Sequence, residues 1–202
     1  FDESLERMGL DHLDIVLMHD AEEHVKEAIE NAFPVLAEYR SQGLIKAVGI
    51  GINHAEQALQ IMKGTDLDIA LIAGRYSLLD QISHHKLFPY ALARNIDISM
   101  GGVLNSGVLA NPVAGATYNY LPASDEIIAR AAKIGEFLKA RNIPLLAAAL
   151  QFPLRHPAVT SVLTGPRTAA ELLENVDAFN LELPADIWAE LEGANLIERI
   201  PA

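Results

Sequence analysis

The chain has 202 residues, half of them hydrophobic, which suffices for one domain with a sizeable core spanning 1–202. A formal charge of −12 excludes a phosphate-neutralising surface, so no nucleic-acid partner is expected; a small-molecule ligand suits it better. The absence of cysteine excludes a disulfide framework and thiolate zinc sites, and leans the expected location toward the cytoplasm.

In chain order, Phe1-Asp2-Glu3 reads as part of a helix, and the first strand-like run is Asp14 to Met18, ending at His19-Asp20. Val25, Ile29, Ala32, Leu36 and Tyr39 then step at helical spacing, with Pro34 expected to bend or divide that helix. Further strand-like runs follow at Lys46 to Gly51, Leu67 to Ala73 and Ile96 to Met100. Most of these runs are apolar throughout, which suits parallel strands covered on both faces. A Gly/Pro/Asn-rich loop, Asn105 to Pro122, precedes a helix on Ile127, Ala131, Ile134 and Leu138, with Ser124 as its N-cap. The longest apolar stretch, 144–154, contains Gln151 and is too short to span a bilayer, so no membrane partner is expected. Thr160 to Thr164 is the fifth strand-like run, and Thr168 to Glu171 fits a capping box at the start of the next helix.

Alternating strands and helices mean an α/β fold. Periodicity leaves two architectures open: a doubly wound open sheet, and part of a (β/α)8 barrel, which ordinarily needs about 250 residues. Both bind ligands at the carboxyl ends of the strands. Those ends are His19-Asp20, Gly51-Ile52-Asn53, Arg75-Tyr76, Gly101-Gly102 with Asn105-Ser106-Gly107, and Gly165-Pro166-Arg167. The helix after Gly165 offers free N–H groups and a positive dipole end that suit a phosphate, with Arg167 beside them. Glu171 has two readings here, cap and ligand contact. His84-His85 are adjacent, so on a helix they are expected to diverge, and no metal is expected.

The stretches "SLERMGLDHLDIVLMHD", "GLIKAVGIGIN", "GRYSLLDQ", "GGVLNSGVLA", "GATYNYLPAS", "AALQFPLRHPAVTSVLTGPRTAAELLENV" and "LPADIWAEL" resemble, in this order, the aldo-keto reductase superfamily. The branch they resemble is that of L-fucose dehydrogenase and D-threo-aldose 1-dehydrogenase. The resemblance implies an incomplete (β/α)8 TIM barrel, strands four to eight with their helices, the first three βα units being absent. In the family those units carry a catalytic Asp, Tyr and Lys, and none of the tyrosines here stands in that motif.

The resemblance makes His19 the active-site histidine that orients the substrate oxygen. A core histidine with a satisfied ring nitrogen is the alternative. It makes Asn53 the remaining carboxamide contact and Leu104, Asn105, Ser106 and Gly107 the pyrophosphate loop. Gly165, Arg167, Glu171, Glu174 and Asn175 become the adenine side. Ala73 and Gly101 stand where the family carries a glutamine and a stacking aromatic. Tyr118 and Tyr120 would meet a sugar, or else belong to a surface loop. The cofactor implied is NAD or NADP, with NAD favoured because a carboxylate at Glu171 repels a 2′-phosphate. The activity implied is hydride transfer between that cofactor and a sugar, aldehyde or hemiacetal such as L-fucose. Pyridoxal oxidation and a non-catalytic nucleotide-binding barrel are the alternatives.

Overall fold

A computed structural model describes residues 1–199. Helix α1 (Asp2–Met8) ends on Gly9, whose φ of 67° supplies the left-handed cap. Five parallel strands follow with helices between them: β1 (Leu13–His19), β2 (Ile45–Ile52), β3 (Ile69–Ala73), β4 (Asp97–Gly101) and, after a two-stranded hairpin, β7 (Val159–Val162). The expected runs are all present. The last one starts a residue early, beside an irregularity in the register of β4 at Ile98/Ser99.

The sheet order is β1-β2-β3-β4-β7, so each strand pairs with the next along the chain. A doubly wound sheet reverses its strand order at a switch point. A barrel does not. The unreversed order makes this an incomplete (β/α)8 barrel, with β1 and β7 as its edges among the described residues.

The two faces of the sheet differ. Val48, Ile50, Ile52, Ala70, Ile72, Ile98 and Met100 are buried on the face covered by helices. Alternate positions Leu17, Gly49, Ile69, Leu71 and Ala73 point to the barrel interior. That face is narrow. A Cβ at Gly49 would lie 2.3 Å from the Ile69 carbonyl oxygen, so only glycine lets β2 and β3 run side by side there. Burial on both faces, expected from the apolar runs, holds for the apolar helix-facing positions of β2, β3 and β4; on the edge strands Val16, Met18 and Val162 are only partly buried, and Ile15 and the adjoining Leu163 are largely exposed.

The helix around Pro34 is continuous but not uniform. Residues Ala28–Ala32 form a π-helical turn between α2 (Val25–Glu27) and α3 (Phe33–Ser41). Proline lacks the N–H for an i→i−4 bond and its ring crowds the carbonyl four residues back, so the preceding turn widens. Helices α4 (Ala55–Gly64) and α5 (Ser83–Arg94) complete the first half. In the second half α6 (Asp125–Lys139) carries the expected cap, the Ile127 N–H donating to Ser124 Oγ at 3.3 Å, and buries Ala131, Ile134 and Leu138. Helices α7 (Leu145–Gln151), α8 (Ala169–Phe179) and α9 (Ile187–Gly193) follow. Among the described residues no helix is long and apolar enough to cross a membrane.

Candidate active site

His19 sits at the tip of β1 opposite Gly51, on the barrel-interior face. Its ring lies across the end of β2: a Cβ on Gly51 would come within 2.9 Å of His19 Cδ2, so glycine at that position makes room for the imidazole. Nδ1 is 3.0 Å from the carboxylate of Asp20, and Nε2 has no partner among the described residues. Asp20 adopts φ 52°, held there by its N–H donating to the Gly51 carbonyl at 2.9 Å. At this edge of the described sheet the ring is mostly exposed and lines a cleft.

That cleft, of about 430 Å³, has Leu71, Ala73 and Gly101 as its floor and Asn53 and Tyr120 on its rim. A second cleft, of about 840 Å³, runs from the loop after β4 to the start of α8. The two share Gly102, Leu163, Thr164 and Gly165, so they form one continuous groove across the strand ends. Leu104, Ser106, Gly107, Gly165, Arg167, Glu171, Glu174 and Asn175 all line the larger part. Volumes of this size fall in the roughly 300–1,000 Å³ range of small-molecule sites.

Two of the expected residues lie elsewhere. Asn105 lines neither cleft; it is buried beneath the loop, accepting from the Ser77 hydroxyl and donating to the Gly74 carbonyl at 3.3 Å. Its side chain pins the loop rather than presenting itself to the groove. Tyr118 is half-buried outside the cleft, where burial, reinforced by Asp80 and opposed by Arg75, pushes its phenol up.

The hairpin that carries Tyr120 is formed by β5 (Thr117–Tyr118) and β6 (Leu121–Pro122). Its two-residue loop, Asn119-Tyr120, has φ of 49° and 65°, as a type I′ turn requires. For an aromatic residue this left-handed conformation is strained, on the order of 1 kcal/mol. Contacts to the loop after β4 hold it: the Tyr120 N–H donates to Ser106 Oγ at 3.0 Å and Thr117 Oγ1 donates to the Ser106 carbonyl at 2.6 Å.

Arg75, noted in the sequence only as a strand end, proves to be the hub of the rim. Its Nε donates to the Asn53 carbonyl at 2.7 Å, Nη1 to Asp80 at 2.9 Å and Nη2 to Asn119 Oδ1 at 3.0 Å. One planar fork therefore links the loop after β2, the loop after β3 and the hairpin. Glu22 completes the set by accepting from the Asn53 N–H at 2.7 Å. With both main-chain groups tied, Asn53 keeps a side-chain amide that makes no hydrogen bond among the described residues and lines the cleft. Sequence spacing held no signal for this network, in which the direct partners of Arg75 alone lie 5, 22 and 44 positions from it.

At the far end, the Glu171 N–H donates to Thr168 Oγ1 at 3.1 Å, which caps α8. The Glu171 carboxylate accepts from the Arg167 N–H at 2.7 Å and grips the Arg167 guanidinium at 3.1 and 2.7 Å. The cap is thus half a capping box, its return bond falling one residue earlier than the standard pattern. The Arg167 side chain and main-chain N–H hold the Glu171 carboxyl below the usual range.

The family model described as aldo/keto reductase family matches residues 1–196. A D-threo-aldose 1-dehydrogenase from Pseudomonas sp is 38% identical over 198 residues, covering 96% of this chain and 60% of that protein. A pyridoxal 4-dehydrogenase from Microbacterium luteolum is 39% identical over 210 residues, covering 98% of this chain and 61% of that protein. The chain thus spans about 60% of the length of these curated relatives. Among solved structures, an aldo-keto reductase from Bacillus halodurans in its holo form superposes with a TM-score of 0.78 at 22% identity, covering 98% of this chain and 65% of that one. A glycerol dehydrogenase from Gluconobacter oxydans gives 0.70 at 17% identity, covering 100% and 64%. With its unreversed parallel strands, a groove across their tips and a family match along nearly the whole sequence, the chain belongs to the aldo/keto reductase family.

Proposed function

We propose that the protein catalyses nicotinamide-dependent hydride transfer on the anomeric carbon of a sugar or a comparable hemiacetal. The observation that carries this reading is the continuous groove: a small chamber under His19 joined to a longer one ending at the α8 N-terminus. Bound in that groove, a nicotinamide would supply the hydride acceptor.

The residues present fit such a ligand at its diphosphate and adenine end. Leu104, Ser106 and Gly107 border the middle of the larger cleft, and Gly165, Arg167, Glu171, Glu174 and Asn175 its far part. At the other end the fit is thinner, because Gly51, Ala73 and Gly101 offer no side-chain donor and only the Asn53 amide remains for a carboxamide.

Oxidation of an anomeric hydroxyl to a lactone removes a hydride from carbon and a proton from oxygen. His19 lines the chamber with Nδ1 beside Asp20, and its Nε2 would hydrogen-bond that oxygen and hold it in line. Tyr120, which borders the chamber, would offer an aromatic face to the sugar. The proton-transferring Tyr with its Lys and Asp would come from the first three βα units of the barrel. Residues 1–202 alone are therefore expected to turn over no substrate.

Glu171 favours NAD. Its carboxylate already holds Arg167, so a 2′-phosphate would have to break that pair and sit against a negative charge, whereas a ribose 2′-hydroxyl can donate to it. The relatives' names, an aldose and a pyridoxal dehydrogenase, support two substrate classes, with L-fucose-like sugars first. The bare nicotinamide end favours a second reading, a nucleotide-binding barrel without turnover.

The test is the appearance of NADH absorbance with L-fucose, D-arabinose or pyridoxal in the protein with its barrel complete, together with NAD and NADP dissociation constants. Turnover lost in His19→Ala with NAD binding retained is the expected result. Saturable NAD binding without turnover on any of the three would favour the binding barrel, and tighter NADP binding would end the NAD assignment.

A further inference from the structure

His84 and His85 open helix α5, and contrary to the divergence expected of neighbours on a helix their rings meet, with centroids 4.1 Å apart. Both Nε2 atoms point at one carboxylate oxygen of Glu198, at 3.5 Å and 3.1 Å. The three ligand atoms lie within 4.8 Å of one another. A tetrahedral zinc-class ion, with bonds of roughly 2.0–2.2 Å, needs its donors about 3.4 Å apart, which the two measured separations bracket.

We propose that His84, His85 and Glu198 form a binding site for a divalent transition ion of the zinc class, tying the C-terminal segment to the start of α5.

The carboxylate is delivered by the fold. Leu196 and Ile197 are buried, and the Glu198 N–H donates to Gln81 Oε1 at 3.1 Å, so the main chain is anchored just before the ligand. Gln81 is itself buried and donates to the Ser77 carbonyl. The His84 side chain is 5% exposed, and its Nδ1 has no partner among the described residues. A neutral imidazole is the form that ligates metals. Two imidazoles and a carboxylate select zinc, cobalt or nickel over magnesium and calcium, which prefer all-oxygen sets.

The same segment is bonded to Gln81, the neighbour of the Asp80 that holds Arg75, so an ion here would stiffen the loop behind the rim of the groove.

The experiment titrates zinc chloride into chelator-treated protein by calorimetry, with cobalt chloride as a spectroscopic probe. His85→Ala and Glu198→Gln are the variants, since both side chains are 53% exposed and their replacement spares the core. Expected are one ion per chain, the visible bands of tetrahedral cobalt, and binding weakened at least roughly tenfold in each variant. Zinc at about one hundred times its dissociation constant should raise the melting temperature by roughly 5–10 °C in the parent and by much less in either variant. Absence of stoichiometric zinc binding would overturn the proposal. So would variants that both bind zinc as tightly as the parent, which would move the ion to another histidine, or magnesium binding as tightly as zinc.

Discussion

Replacing Arg75 by alanine tests how the rim of the groove is held. The Arg75 and Asp80 side chains are 18% and 17% exposed and meet at 2.9 Å. Removing one partner of a buried pair costs about 3–5 kcal/mol when the other charge is stranded. Asp80 would keep the Ile82 N–H at 3.1 Å and some solvent, which places this pair at or below the low end. The Asn53 carbonyl and the Asn119 side chain would each lose a donor as well, but both residues are partly exposed and water can replace it. The sum is about 3 kcal/mol for Arg75→Ala. Arg75→Lys retains the charge but reaches only one of three partners, so about half that loss is expected. Urea unfolding at neutral pH measures both. Hydrogen exchange at the Tyr120 amide, which is bonded to Ser106, reports whether the hairpin has loosened. An Arg75→Ala protein within about 0.5 kcal/mol of the parent, with Tyr120 protection unchanged, would refute the hub.

Two other changes test the electrostatics and the core. Burial by itself raises the Glu22 carboxyl, but the Asn53 and Glu22 N–H groups and His54 outweigh it and hold the group below the ordinary glutamate value. Its stabilisation is then complete above about pH 4.3 and disappears as pH falls through the lower native value, where the unfolded chain binds the proton first. Glu22→Gln should therefore be less stable than the parent near about pH 7, with the gap closing as the pH falls below the ordinary glutamate value of about 4.3; a gap independent of pH in chemical denaturation would contradict this. Tyr76 is fully buried among Phe88, Phe152 and His156, and its hydroxyl has no partner among the described residues. Burial, against the pull of Arg155, pushes that phenol far up. Tyr76→Phe is expected to be neutral or stabilising by about 1 kcal/mol, whereas Tyr76→Ala should cost about 3–5 kcal/mol; a Phe variant clearly weaker than the parent in thermal melts would show that the hydroxyl is satisfied.

Much of the local architecture was legible from residue order. The apolar runs placed every strand of the five-stranded sheet to within about two residues, because an apolar run of strand length is a local signal, whose helix-facing residues are buried in β2, β3 and β4. The caps at Ser124 and Thr168 were legible because the hydroxyl and the N–H it accepts are three residues apart. Glu171 was readable as a cap residue, but the displacement of its return bond to Arg167 was not, since that depends on how the chain enters the helix. The π turn before Pro34 and the hairpin bearing Tyr120 were both hidden: each is a backbone response to a constraint that composition only hints at. Asn105 shows the opposite difficulty. Its position in the loop sequence marked it for the groove, while its amide is used below by Ser77 and Gly74.

Sequence alone determined the α/β class, the cores of the strands and helices, and the set of strand ends at which a ligand would lie. These follow from side-chain periodicity and capping, which act over a few residues. Tertiary structure decided the rest: the choice of barrel over open sheet, the joining of two clefts into one groove, the Arg75 fork and the meeting of His84 and His85 with Glu198. Each of these requires residues tens to more than a hundred positions apart to be brought within hydrogen-bonding or packing distance. Short-range patterns carry no record of such pairings, because strand order and side-chain direction are set only when the whole sheet assembles.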